Sequence, residues 1–342
     1  MFGSHDDATQ NHHFSVGRAE RSRQLAVSFM PSVRSWLLLG WFRLTRRKKV
    51  WVDTSEFDKS IVNSQRKDTS KLPASLYRRN HIEWGEVDGF PCATFSPRGR
   101  SNGQHVLYLH GGAYVHSIEQ AHWRFVSRLV SQVGCTVTVP IYPLAPDYQY
   151  DKTQAVIAAT YDRFLADTDP ARQVVMGDSA GGALTLVLAR MLKEQRRPQP
   201  AHLVLISPWL DATMRDPAVP VVDRRDPYLS TPGLLEAARM YSGELDTADP
   251  LISPINGSID GLGHISVFIG TRDTLLLDSR KLQRIAAREG VDIDYFEYQG
   301  MVHGWLLLNH IPEARKATDE LIDVLRKSGP LAPRPTDHGR TR

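Results

Sequence analysis

The chain has 342 residues, 41% hydrophobic and 23% charged, with a formal net charge of +4. That is an ordinary globular composition, long enough to bury a sizeable core, and its mixed charges argue against a nucleic-acid surface. Two cysteines, Cys92 and Cys135, make neither a zinc-like spacing nor a disulfide framework; buried thiols in a reducing compartment fit them.

Residues 1–28 are polar, with His5, Asp6, Asp7, His12 and His13 where a secretory signal would need an apolar run. The most apolar stretch, Trp36 to Phe42, is far short of the ~20 residues that span a bilayer. A soluble, cytoplasmic protein is expected. Val33, Trp36, Leu37, Gly40, Trp41 and Leu44 share one helical face, followed by the basic run Arg46-Arg47-Lys48-Lys49. The stripe is expected to pack on the core; an interfacial helix is the alternative.

From about residue 80, strands and helices alternate, the pattern of a mostly parallel sheet covered on both faces. His81–Val87 and Phe90–Phe95 predict a hairpin around Asp88-Gly89. Strands follow at His105–Leu109, Cys135–Val139, Gln173–Met176, His202–Ile206, Ser266–Ile269 and Ile293–Tyr298. Helices are expected at Trp123–Gln132, Thr153–Leu165, Ala180–Gln195, Thr274–Glu289 and Pro312–Lys327. Two segments break the alternation. Residues 1–75 are read as an N-terminal cap segment. Residues 209–263, rich in proline around a helical Gly233–Tyr241, are read as a cap insertion over the strand ends, where α/β sheets bind ligands. The catalytic core then comprises residues 76–208 and 264–328, and the proline-rich tail 329–342 is expected to be disordered.

Gly177-Asp178-Ser179-Ala180-Gly181-Gly182 lies between a strand and a helix, the context of a nucleophile elbow that lifts a serine hydroxyl into the open. The flanking glycines leave room for a tight turn, and the helix N-terminus favours a forming oxyanion. His110-Gly111-Gly112-Ala113-Tyr114 follows another strand and can turn backbone N–H groups toward the same centre. A serine hydroxyl needs a base and the base an orienting acid, in the chain order Ser, acid, His. His303, just past the last strand, is the expected base; His264 and His310 lie before a strand and near a helix start. Asp273, after the strand Ser266–Ile269, is the expected acid, and the competing Asp278 is given a helix-capping role.

These motifs together resemble the hormone-sensitive-lipase-like esterases, the bacterial family IV carboxylesterases, over residues 75–328. The likeness rests on His110-Gly111-Gly112, Tyr142-Pro143-Leu144-Ala145-Pro146, Gly177–Gly182, Asp249-Pro250 with Ser253-Pro254, Asp273-Thr274-Leu275 and His303-Gly304. It implies an α/β-hydrolase fold with a helical cap, no cofactor or metal, and oxyanion donors in the Gly111, Gly112, Ala113 turn and at Ala180. The family commonly has a third glycine where Ala113 stands. The expected reaction is hydrolysis of short to medium acyl esters through Ser179, His303 and Asp273, on a small-molecule substrate, by a monomer or homodimer. The same triad could serve a lactone, an N-formyl or N-acetyl amide, or an acetylated sterol. A receptor of the same fold is disfavoured because His303 is present, and a peptidase because the chain has no room for a gating domain.

Overall fold

The computed structural model describes residues 24–27, by backbone alone, and 30–327. Nine strands form one sheet in the order β1-β9-β8-β7-β6-β4-β5-β3-β2. Its centre is parallel: β4 (His105–Leu109), β5 (Thr136–Pro140), β6 (Gln173–Asp178), β7 (His202–Ile206), β8 (His264–Gly270) and β9 (Ile293–Tyr298). The expected hairpin forms as β2 (Asn80–Val87) and β3 (Phe90–Pro97), joined at Asp88 and Gly89, both at positive φ. It adds the antiparallel edge through β3 and β5.

Alternation with period two divides the strand side chains between two cores. Val175, Leu203, Leu205 and Val267 point to one face, covered by α6 (Tyr150–Phe164), α7 (Ala180–Glu194) and α10 (Leu276–Glu289). Val174, Met176, Val204 and Phe268 point to the other, covered by α5 (Gln120–Val133) and α11 (Pro312–Lys327). Both sides being covered explains why the central strands read as continuous apolar runs.

The N-terminal part differs from expectation in two ways. Gln24–Val27 is a strand, β1, parallel to β9 at the sheet edge, so residues 1–75 are not wholly cap. The second difference concerns α1 (Val33–Leu44), which buries Ser35, Leu39 and Phe42. The expected stripe of Val33, Trp36, Leu37, Gly40, Trp41 and Leu44 faces outward instead. The helix is apolar on nearly every side, so the residues able to find partners in the core decided the orientation.

Past α1, α2 (Lys49–Val52) and α3 (Thr54–Gln65) lead to α4 (Ala74–Arg79). Residues 209–263 contain α8 (Val219–Asp223) and α9 (Thr231–Ser242). α2 and α9 touch at Gly233, where a Cβ would lie 2.8 Å from both the Trp51 ring and its carbonyl oxygen. The tail beyond residue 327 lies outside the described residues. No helix among the described residues is long and apolar enough to cross a membrane. Cys92 and Cys135 are both unpaired and buried, and burial pushes each thiol up to about 12.

Candidate active site

The chain passes from β4 to β5 on one side and then to β6 on the other, so the strand order reverses at β4. The carboxyl ends of strands flanking such a reversal form a crevice. Ser179 leaves the end of β6, and the His110–Tyr114 turn leaves the end of β4.

Ser179 sits at φ 54°, ψ −120°, a conformation that costs a non-glycine residue roughly 1–3 kcal/mol and persists only where its surroundings impose it. Its neighbours do so. Its N–H donates to the Ile206 carbonyl at 2.9 Å, and its carbonyl accepts from Trp209 N at 3.0 Å. A Cβ on Gly181 would fall on the Leu109 carbonyl, and one on Gly177 on the Gly181 carbonyl. Glycine is therefore required at both positions by close backbone approach.

Oγ of Ser179 lies 3.1 Å from Nε2 of His303, whose Nδ1 lies 3.0 and 3.1 Å from the two carboxylate oxygens of Asp273. Asp273 follows β8, and His303 follows β9. Asp273 is fully buried, and its Oδ1 also accepts the N–H of Leu275 at 3.0 Å. The structure thus joins Ser179, Asp273 and His303 in one hydrogen-bonded chain. Burial works against a charged His303, but Asp273, with Asp226 and Asp178 beyond it, outweighs that and holds its pKa above the ordinary histidine value. The competing histidines are elsewhere: His264 begins β8 and bonds Asp294, and His310 precedes α11.

Asp278 lies in the first turn of α10 but does not cap it. Its Oδ2 accepts the backbone N–H groups of Leu210 and Asp211, at 2.8 and 3.0 Å. The expected capping role is corrected: Asp278 pins the start of the 209–263 segment to α10. Burial, then the nearby Asp211, pushes its carboxyl up to about 8, against the hydrogen bonds it accepts.

In the glycine-rich turn, Gly112 (φ 128°), Ala113 (φ 52°) and Tyr114 (φ 64°) all have positive φ. Gly111 N–H donates to Asp178 Oδ1 at 2.9 Å, which removes it from the expected set of oxyanion donors. Gly112 and Ala113 make no backbone hydrogen bond through N–H among the described residues. Ala180 opens α7, so its N–H has no acceptor within the helix.

Two carboxylates escaped the sequence reading. Asp178 is buried beneath the turn, where it also accepts the Tyr108 hydroxyl at 2.5 Å and faces His122 Nε2 at 3.4 Å. Burial would raise its pKa, but His122 and these donors hold it below the usual carboxylate value. Asp226 is buried in the 209–263 segment. Its Oδ1 accepts Tyr228 N (2.8 Å) and Leu229 N (3.1 Å), and its Oδ2 accepts Thr274 N (2.8 Å) and Thr274 Oγ1 (2.9 Å). It therefore ties the loop after Asp273 to Tyr228, whose ring stacks on His303 at 6.2 Å. Burial and then Asp273 push Asp226 up to about 6. Asp226-Pro227 reads as an ordinary turn, and its partner Thr274 is 48 residues away.

Around the turn, Tyr114 stacks on Tyr241 of α9 at 3.7 Å, and Trp209 approaches Tyr114 at 5.5 Å. α3 reaches the same turn: Ser60 Oγ lies 2.9 Å from His116 Nε2, and Gln65 donates to the Val115 and Ala145 carbonyls. Among the described residues, the grouping with metal-type donors is His202, His264 and Asp294, within 4.8 Å of one another. It lies at the opposite, amino-terminal end of the strands, where Ser266 Oγ joins His202 to Asp294 by hydrogen bonds of 2.8 and 3.1 Å.

Residues 106–307 match the family model described as the alpha/beta hydrolase fold. The chain belongs to that family. This hydrolase is 34% identical over 243 residues to LipR of Mycobacterium tuberculosis, a match spanning 70% of this chain and 78% of that protein. An acetyl-hydrolase of Streptomyces hygroscopicus is 30% identical over 229 residues, 66% of this chain and 77% of that one. Among solved structures, an esterase from the bacterial hormone-sensitive lipase family is similar, with a TM-score of 0.74, 28% identity, and coverage of 88% of this chain and 99% of that one. The hydrolase is thus an enzyme of the esterase and lipase type within the hormone-sensitive-lipase-like group.

Proposed function

We propose that the hydrolase cleaves carboxylic esters of short to medium acyl chains through an acyl-enzyme formed on Ser179. The observation that carries this reading is the chain from Ser179 Oγ through His303 to Asp273, at 3.1 and 3.0 Å, on a serine held at positive φ. In the first step Ser179 Oγ attacks the ester carbonyl while His303 Nε2 takes its proton. Asp273 holds the Nδ1–H tautomer and stabilises the imidazolium. The N–H groups of Gly112, Ala113 and Ala180 receive the oxyanion; Gly111 does not, since its N–H is bonded to Asp178. The tetrahedral intermediate collapses with His303 protonating the departing alcohol. Water then repeats the sequence and releases the acid.

The short-acyl preference is supported by the bulk of Tyr114, Trp209 and Tyr241 packed together beside the glycine-rich turn and by the acetyl-hydrolase relative. We assign the cap to residues 30–75 and 209–263, a division supported by the packing of α2 on α9 and of α3 on the His110–His116 turn. Two unpaired buried thiols support a cytoplasmic placement. Initial rates on p-nitrophenyl esters of graded chain length, beside lactones and N-acetyl and N-formyl amides, test the reading. Turnover should peak among the shorter esters. Faster turnover of the lactones or amides would overturn it.

A further inference from the structure

Five large apolar side chains of α1 point into solvent, with Val33 at 75%, Leu37 at 69% and Leu44 at 82% exposure beside half-exposed Trp36 and Trp41. Met30, just before the helix, is also exposed. One turn away on the same helix Leu39 is 3% exposed, so α1 is firmly seated and its outer face is a fixed feature. The seat is specific: Ser32 and Ser35 donate to Glu313 of α11, and Phe42 packs on Tyr228 at 5.5 Å.

The segment itself carries charge of one sign. Residues 30–52 contain six Lys or Arg and no Asp or Glu. Lys48 is used internally, against Asp223 at 3.0 Å. Arg34, Arg43, Arg46, Arg47 and Lys49 are exposed. Arg47 lies over the Trp41 ring at 5.0 Å and Arg272 over the Trp36 ring at 5.3 Å. Arg272 is crowded as well: burial, then Arg43 and Arg225, lower its pKa. The face therefore pairs an exposed apolar strip, holding two tryptophans, with a cationic rim in which Arg43, Arg46, Arg47 and Lys49 make no ion pair among the described residues. An acidic protein groove could meet the rim, but a soft, laterally extended anionic layer meets rim and strip together.

We propose that the outer face of α1 and the basic corner after it form a docking surface for an anionic lipid bilayer, with α1 lying in the headgroup plane. The position bears on the active site. Trp36 touches Arg272, the residue before Asp273, and Phe42 touches Tyr228, which stacks on His303. Docking would bring the Arg272 loop near the lipid surface, with the Tyr228 loop directly behind α1, on the side where membrane-dissolved esters concentrate. The docking itself does not rest on the esterase reading, because it is read by binding.

The test is co-sedimentation of the full chain with phosphatidylcholine vesicles and with vesicles containing a quarter phosphatidylglycerol, alongside tryptophan emission. The wild type should bind the anionic vesicles, with emission shifted to the blue, and release them as salt rises. Leu37→Ser with Leu44→Ser should abolish the emission shift. Arg46→Gln with Arg47→Gln and Lys49→Gln should weaken anionic binding about 100-fold, at about fivefold per basic residue near the surface. Both variants should hydrolyse a soluble ester within twofold of wild type. Three results would overturn the proposal: wild type left in the supernatant, both variants binding as wild type does, or a dimer that Leu37→Ser with Leu44→Ser dissociates without any vesicle binding. The last would assign the face to a second copy of the chain. Loss of vesicle binding with ester turnover intact, or the reverse, separates this proposal from the catalytic one.

Discussion

Asp226→Asn tests whether the carboxylate behind His303 positions the proposed site. Asp226 accepts three backbone N–H groups and one hydroxyl, all between 2.8 and 3.1 Å. An asparagine can keep only one of its two atoms as an acceptor. Its least costly pose keeps the oxygen on Tyr228 and Leu229 and turns the NH2 toward Thr274. The Thr274 hydroxyl can rotate to accept, but the Thr274 N–H then faces a donor inside the protein. A buried donor left unsatisfied costs about 1–3 kcal/mol. Relief of the repulsion between Asp226 and Asp273 offsets part of this, so a net loss of about 1–2 kcal/mol is expected, read as a lower urea midpoint. The kinetic sign is independent of that sum. In the proposed mechanism His303 acts as base only when neutral, and Asp226 contributes to holding its pKa up. Removing that charge lowers the His303 pKa, so the acid limb of kcat/KM moves to lower pH while kcat falls from the loosened Tyr228 and Asp273 loops. A variant with unchanged midpoint and an acid limb that stays or moves to higher pH would refute the reasoning.

Ser179→Ala should remain folded and lose roughly 10⁴-fold or more in kcat, and a fluorophosphonate probe should label wild type but not the variant. Asp273→Asn places an amide N–H against His303 Nδ1 and should cost roughly 10³–10⁴-fold in kcat, with the fold intact by circular dichroism. Asp278→Asn keeps one oxygen for Leu210 and Asp211 and should stay within a few-fold in activity, whereas Asp278→Ala orphans both N–H groups and should lose about 2–4 kcal/mol in urea unfolding. Gly181→Ala, a helix-favouring change worth about 1 kcal/mol elsewhere, should here sharply reduce soluble yield, because the new methyl meets the Leu109 carbonyl; a well-folded variant would show that the elbow is looser than its geometry.

The central strands were legible because their burial on both faces leaves short β-branched runs bounded by turns, and His202–Ile206 and Ile293–Tyr298 fall where the pattern predicts. Helix starts were less so: α5 begins at Gln120, three residues before the expected Trp123, at a capping box between Glu119 and His122 that has no usual Ser or Thr signature. The hydrogen-bonded grouping of Ser179, Asp273 and His303 was legible because each follows a recognisable strand. Asp226 and Asp178 could not, since their meaning comes from partners that only folding brings near. The facing of α1 was illegible for a different reason. Periodicity identifies an apolar stripe, but Leu39 and Phe42 on the opposite side are as apolar as Trp36 and Leu37, and only Glu313, Tyr228 and the core distinguish them.

The seat of α1 also sets an order of assembly. The helix leaves the ribosome early, but Tyr228 comes 184 residues after Leu44 and Glu313 another 85 later. At roughly 5–20 residues per second, α1 waits on the order of 10–50 s before the carboxylate that takes Ser32 and Ser35 exists. Throughout that interval both its faces are open, the one that will be buried and the one that stays outward. The inner side of α1 therefore gains its seat only when nearly the whole of the described chain has been made.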